Sequence, residues 1–191
     1  MAKLNSMGLR RHARSYLVEL RQRTSFTASL SVLDGAEILY VERARSFRRG
    51  QYKVDLNLRL GSRLPVYCTA MGKVLLASLP RSEQDELVSN MTLVRRGPKT
   101  IGGKKALRTE LGDVSKKGIA VNDEELRPGL VSVACPVRGG GGGVVAAVSL
   151  AAHTSMVSLG EMVDRCVPYL LVSANGISEC LGFRRDDETA L

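Results

Sequence analysis

The feature that most constrains the fold is a stripe of apolar residues near the C-terminus that recurs every three or four positions. It consists of Leu159, Met162, Cys166, Leu170, Ala174, Ile177 and Leu181. This spacing predicts a long amphipathic helix with one face packed on a core. Ser158 and Glu161 precede the stripe at the spacing of a capping box, and Pro168 within it predicts a kink.

Residues with a strand-like period of two occur in two separate parts of the chain. Phe26, Ala28, Leu30 and Val32 alternate with polar residues and predict a half-buried strand. The turn Asp34-Gly35 then leads into a second apolar run at residues 38–41, which predicts a hairpin. A third strand is predicted over residues 52–58. Residues 130–137 and 144–150 predict a further hairpin, joined by the glycine run at residues 139–143.

Helical patterns lie before and between these strands. One covers residues 9–24, a second follows Thr69, and a third begins with Ser82 and Asp85 as a capping box. A fourth covers residues 104–117 and ends at Gly118. Hairpins combined with helices predict an α+β fold with a largely antiparallel sheet flanked by helices. We divide the chain into a disordered N-terminus (1–8), a linker helix (9–24), a domain (25–183) and a charged tail (184–191).

Composition excludes several classes of protein. The 191 residues contain 44% hydrophobic and 25% charged residues, which is typical of a globular protein. No apolar run is long enough for a membrane span and no secretion signal is visible, so we expect a cytoplasmic protein with no membrane contact. The net charge is +9, and the residues up to Arg59 include twelve basic and five acidic ones. Such a field suits nucleic acid, an acidic partner, anionic small molecules or simply a solvated face.

No catalytic or metal-binding pattern is present. The four cysteines and two histidines show no metal-ligand spacing, and no nucleotide or hydrolase motif occurs. We therefore expect no enzyme, no catalytic residue, no metal and no cofactor. A small enzyme that uses Asp123, Glu124 or Cys135 is the rival hypothesis, although we expect Glu124 and Glu125 to face solvent.

The start of the helix after Thr69 is the best candidate for a binding site. The backbone N–H groups of Ala70 and Met71 have no acceptor within the helix, and the helix dipole adds positive potential there. Gly72 lets a ligand or a neighbouring element approach closely. The sequence alone leaves two interpretations open: a seat for a carboxylate, or a cap on a core helix.

Four segments resemble the effector-binding half of IclR-type transcriptional regulators. They are LDGAEILYVERA, GSRLPVYCTAMGKVLLASLP, VNDEELRPGLVSVACPVRG and VVAAVSLAAH, in the same order and at similar spacing. The resemblance extends from Leu9 to Leu181 and implies a GAF-like domain that binds a small organic acid and oligomerises. The segments GSRLP and SLAAH are most similar to the regulators of aromatic-acid breakdown, including protocatechuate and hydroxybenzoate regulators.

The resemblance also implies which residues contact the ligand. The amides of Ala70 and Met71 meet its carboxylate, and Leu130 forms an apolar wall. The polar side chains implied around the ligand are those of Asn122, Ser132 and Ser149. Asn122 stands where the family is often acidic, and Ala151 stands where a serine is common.

Three further residues are candidates with an open alternative. Arg43 and Arg63 are possible counter-charges, since arginine pairs with carboxylates in a bidentate way, or else surface ion-pair residues. His153 contacts an aromatic acid or has a structural role.

The function implied is a sensing and oligomerising domain that acts as a homodimer or tetramer. DNA would be contacted only through a winged helix-turn-helix domain, which is absent from this chain. The alternative is a stand-alone interaction module that forms hetero-oligomers with full-length regulators. A further possibility, nonspecific DNA binding by the basic first third, predicts a steep salt dependence.

Overall fold

The computed structural model describes residues 2–46 and 58–184. Within these ranges the chain forms five helices: α1 (Ala2–Thr24), α2 (Ala70–Ala77), α3 (Arg81–Asn90), α4 (Lys104–Lys117) and α5 (Leu159–Cys180). The strands are β1 (Thr27–Asp34), β2 (Glu37–Ala44), β3 (Arg63–Pro65), β4 (Ala120–Asp123), β5 (Leu130–Arg138) and β6 (Val144–His153). A short 3-10 turn, Val66–Cys68, directly precedes α2.

The strands form one antiparallel sheet in the order β3-β2-β1-β6-β5-β4. The hairpins β1–β2 and β5–β6 meet at the centre of the sheet, where β1 pairs with β6. Both hairpins were predicted from the sequence, and their turn and glycine-rich loop lie where we expected them. The predicted α+β class with a largely antiparallel sheet is confirmed.

The sheet separates two hydrophobic cores. On one face α1 and α5 pack against alternate residues of the strands, with Leu17, Val133, Val148 and Leu170 fully buried. On the other face α2 and α4 cover the remaining side chains, together with the 3-10 turn. Because helices cover both faces, the central strands have almost no solvent-facing side. None of the described helices combines the length and the hydropathy that a membrane span requires.

The helix boundaries follow from local chemistry in two cases. Ser158 and Glu161 form the complete predicted capping box of α5. The helix α4 ends at Gly118, which adopts the left-handed conformation with φ of 70°. The capping box predicted for α3 is wrong, because the residue before the helix is Pro80 and no side chain caps it. Asp85 instead pairs with Arg81 and Arg108.

Three other predictions differ from the structure. The helix α1 begins at Ala2 and not at Leu9, whereas residues 1–8 were expected to be disordered. The strand β4 lies where we predicted no strand. Ser29 and Ser31, expected on the solvent side of β1, are 4% and 0% exposed, because α2 covers that face. The predicted third strand falls largely on residues 47–57, outside the described residues.

Candidate functional site

A row of polar side chains crosses the face of the sheet that α2 covers. Arg43 of β2 pairs in register with Ser29 of β1, and Ser29 pairs with Ser149 of β6. On the other side of β6, Ser132 of β5 pairs with Asn122 of β4. The two sets are offset by two residues, since Ser132 pairs with Ala151 of β6 and not with Ser149. Neighbouring strands thus place an arginine, three hydroxyls and a carboxamide on one face of the sheet within an otherwise apolar core.

The first turn of α2 lies over this row. Thr69 caps the helix, and its hydroxyl accepts a hydrogen bond from the Gly72 amide at 3.2 Å. This cap uses the third amide of the helix and leaves those of Ala70 and Met71 without a partner in the helix. Both residues are almost fully buried. Two amide donors and the positive end of the helix dipole therefore meet at a site shielded from water, which favours an anion.

The helix and the sheet enclose a cavity of about 30 Å³. Its lining comprises Ser29, Tyr40, Arg43, Leu58, Thr69, Ala70, Met71, Asn122, Leu126, Leu130, Ser132, Ser149 and Ala151. A cavity of this size holds about two water molecules. An aromatic acid can enter only if walls such as Tyr40, Arg43 or Met71 move outward.

Two side chains of β2 form one wall. The Arg43 guanidinium lies 5.7 Å from the centre of the Tyr40 ring and donates from Nη1 to the Leu58 carbonyl at 3.0 Å. Burial raises the pKa of Tyr40 to about 12, although the charge of Arg43 opposes this shift. The Tyr40 hydroxyl therefore stays protonated at neutral pH and can donate a hydrogen bond.

Asn122 forms the opposite wall with a defined orientation. Its Oδ1 accepts a hydrogen bond from the Glu125 amide at 2.9 Å, and the residue is 1% exposed. Since the oxygen is used by the loop that follows β4, the two N–H donors of the carboxamide are left for the cavity. Amides, guanidinium and carboxamide make the cavity rich in hydrogen-bond donors, as an anionic ligand requires.

A buried ion cluster lies behind the first turn of α2. The Lys73 Nζ donates to Glu125 Oε1 at 2.6 Å and to Glu110 Oε1 at 2.8 Å, and the lysine is 1% exposed. We expected Glu125 to face solvent, which is wrong, since it is 6% exposed. Burial raises the pKa of its carboxyl, and Lys73 opposes the shift. The cluster connects α2 to α4 and to the loop after β4.

The structure brings together seven of the nine predicted site residues. Ala70, Met71, Asn122, Leu130, Ser132, Ser149 and Arg43 all line the cavity. His153 lies outside it at the end of β6, where Nδ1 accepts from the Ser155 amide at 3.1 Å. Arg63 lies on β3 and pairs with Asp34 and Glu37. Of the two alternatives weighed for Arg63, the geometry favours the surface ion pair.

Sequence reasoning missed several lining residues. Ser29, Tyr40, Leu58 and Leu126 line the cavity without having been predicted. Ser29 had been assigned to a solvent-facing side of β1. Two helical segments in the sequence, α2 and α4, could have identified it. Their apolar residues need a second face of the sheet to pack against, and Ser29 lies on that face.

The residues of the rival enzyme hypothesis do not meet at the cavity. Asp123 pairs with Lys99 at 2.9 Å, and Glu124 accepts from the Gly129 amide at 2.7 Å. Cys135 lies on the opposite face of the sheet, and burial raises the pKa of its thiol. Across residues 2–46 and 58–184, no cluster of His, Cys, Asp and Glu is suited to hold a metal ion.

A larger surface groove of about 620 Å³ lies at the other end of α2. Its lining contains no charged side chain and consists of apolar residues, one serine and part of the glycine run: Leu9, Val32, Leu33, Leu75, Ser78, Leu79, Gly139, Gly140, Gly141, Val144, Val145 and Leu181. This chemistry does not suit an acid. We therefore assign the candidate site to the smaller cavity.

Comparison with known proteins identifies the family of this chain. Residues 1–179 match the family described as the bacterial transcriptional regulator IclR C-terminal domain. The chain is 31% identical over 176 residues to the Pca regulon regulatory protein of Pseudomonas putida. The aligned region covers 92% of this chain and 60% of that protein. The chain thus spans about three fifths of the length of this relative.

Two similar solved structures are complexes with a hydroxybenzoate. The inducer-binding domain of the PobR transcription factor from Acinetobacter, as a double mutant with 3-hydroxybenzoic acid, is 32% identical. The alignment with this domain covers 89% of our chain and 97% of the PobR chain, with a TM-score of 0.79. An IclR homologue from Microbacterium hydrocarbonoxydans, complexed with 4-hydroxybenzoate, is 28% identical and covers 92% and 69%, with a TM-score of 0.81. The family match, the fold and the cavity lead to one conclusion: the chain belongs to the IclR family of bacterial transcriptional regulators and has the fold of their C-terminal domain.

Proposed function

We propose that this domain senses a small aromatic carboxylic acid, which binds with its carboxylate at the amides of Ala70 and Met71. The observation that carries the proposal is the convergence of buried donors on one cavity: two free helix amides, the Asn122 carboxamide and the Arg43 guanidinium. The hydroxyls of Ser29, Ser132 and Ser149 provide further partners for ring substituents. The hydroxybenzoates bound by two structural relatives belong to the same chemical class.

The proposed mechanism is a shift between two arrangements of the domain. The acid stabilises the arrangement in which the cavity is open, and the size of the shift equals the difference in its affinity for the two. In a full-length regulator this shift would change the DNA affinity of an attached helix-turn-helix domain. We place this activity in the bacterial cytoplasm, where such a regulator meets both DNA and metabolites.

We also propose that the domain functions as a homo-oligomer. The helix α5 exposes three large apolar side chains, Tyr169, Leu171 and Val172, and Val172 is 70% exposed. A cluster of this kind is typical of a surface that another subunit covers. Light scattering should give a mass of two or four chains, and a monomer at micromolar concentration would contradict it.

Isothermal titration calorimetry tests the sensing function directly. The chain is titrated with 4-hydroxybenzoate, 3-hydroxybenzoate, protocatechuate and pyruvate, and with 4-hydroxybenzamide as an uncharged analogue. We expect an aromatic acid to bind at least about tenfold more tightly than the amide, equivalent to ~1.4 kcal/mol. Equal affinity for acid and amide, or no heat from any acid with a folded sample, would contradict the proposal.

The variant Asn122→Asp provides a test from the protein side. The carboxylate still accepts from the Glu125 amide, but it replaces the N–H donors at the cavity by a negative charge. We expect the affinity for the acid to fall more than about tenfold, because the ligand loses a buried hydrogen-bond donor and faces a second negative charge. Asn90→Asp, which adds the same charge at an exposed position of α3, is the matched control.

A further inference from the structure

A single carboxylate, that of Glu42, connects the cavity to the helix α1. Glu42 lies on β2 between Tyr40 and Arg43, and it is 6% exposed. Its Oε1 accepts from the Arg43 amide at 2.9 Å. Its Oε2 accepts from Arg10 Nε of α1 at 2.8 Å. A cavity residue and the first helix therefore share one hydrogen-bonding group.

An irregularity in β2 makes this connection possible. The pairing of β1 with β2 passes from Leu30–Glu42 to Ser31–Tyr40, so Val41 is an extra residue in β2. In a regular strand, residues 40 and 42 would lie on the same face. The bulge instead directs Tyr40 and Arg43 to the cavity and Glu42 to the face that α1 covers. This placement has a cost, because a buried carboxylate must be paired.

We expect binding of an acid to move Arg43. The cavity of about 30 Å³ is too small for an aromatic ring, and Arg43 is one of its walls. Its Nη1 already donates to the Leu58 carbonyl at 3.0 Å, so a ligand carboxylate or hydroxyl competes for the same guanidinium. The Arg43 amide belongs to the bulged segment of β2 and is bound to Glu42, whose carboxylate is bound to Arg10 of α1. A shift of this segment as the cavity opens would therefore reach α1.

We propose that the Arg43–Glu42–Arg10 connection transmits occupancy of the cavity to α1, with Glu42 as the positioning residue. The proposal rests on the proposed function, because it takes an aromatic acid as the signal. It assigns α1 a role in regulation that the geometry of the cavity alone does not imply. The two sites are the cavity and α1, and the element that differs between the two states is the bulged segment of β2.

Hydrogen exchange of the whole chain, with and without saturating 4-hydroxybenzoate or protocatechuate, tests the proposal. In the wild type we expect the acid to change the exchange of α1 residues 9–20 by about fivefold, the low end of coupling between sites. We also expect protection of residues 69–77 at the cavity. In Glu42→Gln the α1 response should vanish while the protection at 69–77 remains, because the amide cannot hold Arg10 through a charged pair.

The matched control is Glu19→Gln, which removes a carboxylate paired with Arg23 within α1 but leaves the sheet contact unchanged. It should keep the α1 response. A merely structural role of Glu42 would change the exchange of α1 equally with and without the acid. If Glu42→Gln does not fold, Arg10→Gln removes the same connection from a side chain that is half exposed.

The outcomes separate this inference from the proposed function. Protection at residues 69–77 with an unchanged α1 in the wild type overturns the inference alone. An α1 response that persists in both Glu42→Gln and Arg10→Gln also overturns it. The absence of any protection with either acid overturns the sensing function and the inference together.

Discussion

At the scale of single residues, Gly72 shows how close backbone packing fixes the first turn of α2. A Cβ at this position would collide with the Val66 carbonyl and approach Thr69 Oγ1 to 2.5 Å. The sequence left open whether a ligand or a neighbouring element uses this space, and the structure shows the neighbouring 3-10 turn. The turn fixes Thr69, and Thr69 in turn fixes the first amides of α2.

Replacement of this glycine should therefore affect both stability and binding. We expect Gly72→Ala to lower the free energy of unfolding by about 1–3 kcal/mol, the cost of overpacking, and to weaken acid binding. Gly112→Ala is the matched control, because no atom lies within 4 Å of its Cβ position on α4. That substitution should stabilise the protein by about 0.5–1 kcal/mol through helix propensity. Urea unfolding measures both, and a Gly72→Ala variant as stable as the wild type would contradict the packing argument.

At the scale of elements, α5 begins with a complete capping box. Ser158 Oγ accepts from the Glu161 amide at 3.3 Å, and Glu161 Oε2 accepts from the Ser158 amide at 3.0 Å. This backbone hydrogen bond, together with the Ser158 hydroxyl, lowers the pKa of Glu161. The capped helix carries the apolar stripe that closes one of the two cores.

Loss of this cap has a predictable cost. We expect Ser158→Ala to destabilise the protein by about 1 kcal/mol, as is typical of serine caps. Ser82→Ala is the control, since Ser82 is exposed within α3 and caps nothing. Thermal unfolding should show a lower midpoint for Ser158→Ala and an unchanged midpoint for Ser82→Ala. A lower midpoint for Ser82→Ala would instead indicate that Ser82 caps α3, which would contradict the structure.

Elements with local signals were predictable from the sequence, and those that depend on distant contacts were not. The bounds of α4 and α5 follow from Gly118 and Ser158, which act on their own helices. The strand β4 has four residues and is defined by its pairing with β5. The capping box predicted at Ser82 is wrong because α3 begins one residue earlier, at Arg81 after Pro80, so that Ser82 lies inside the helix.

The same distinction applies to the candidate site. Ala70 and Met71 carried both a motif and a physical reason, since the first amides of a helix lack an acceptor within it. Asn122 was implied by the family resemblance alone. Tyr40 was missed because only a bulge turns it and Arg43 toward one face, and a bulge is defined by the partner strand. Arg63 was a reasonable counter-charge by type, but it pairs with the two carboxylates at the turn of the neighbouring β1–β2 hairpin.

At the scale of the whole molecule, the Lys73 cluster joins three parts of the chain that are far apart in sequence. Lys73, Glu110 and Glu125 come from α2, α4 and the loop after β4. Glu125 Oε2 is buried and has no hydrogen-bond partner among the described residues. One lysine thus compensates two carboxylates incompletely, and the pKa of Glu125 is raised above its ordinary value of 4.5.

This shift predicts how stability depends on pH. A carboxyl with a raised pKa holds its proton more tightly in the folded state, so folding gains from the neutral form. The gain is complete below the ordinary pKa and is lost as the pH rises through the folded one. Glu125→Gln imitates the neutral form at every pH. Its free energy of unfolding should therefore match the wild type in acid and exceed it increasingly toward neutral pH.

Urea unfolding of both proteins between pH 4 and pH 8 measures this difference, where Glu86→Gln on α3 controls for the loss of an exposed carboxylate. If Glu125→Gln were less stable than the wild type by the same amount at every pH, the ion pair with Lys73 would outweigh burial. In that case the cluster would act as a net stabilising contact. The predicted divergence means instead that the molecule keeps a destabilising charge beside the candidate cavity, and that Lys73 positions the loop whose Glu125 amide orients Asn122.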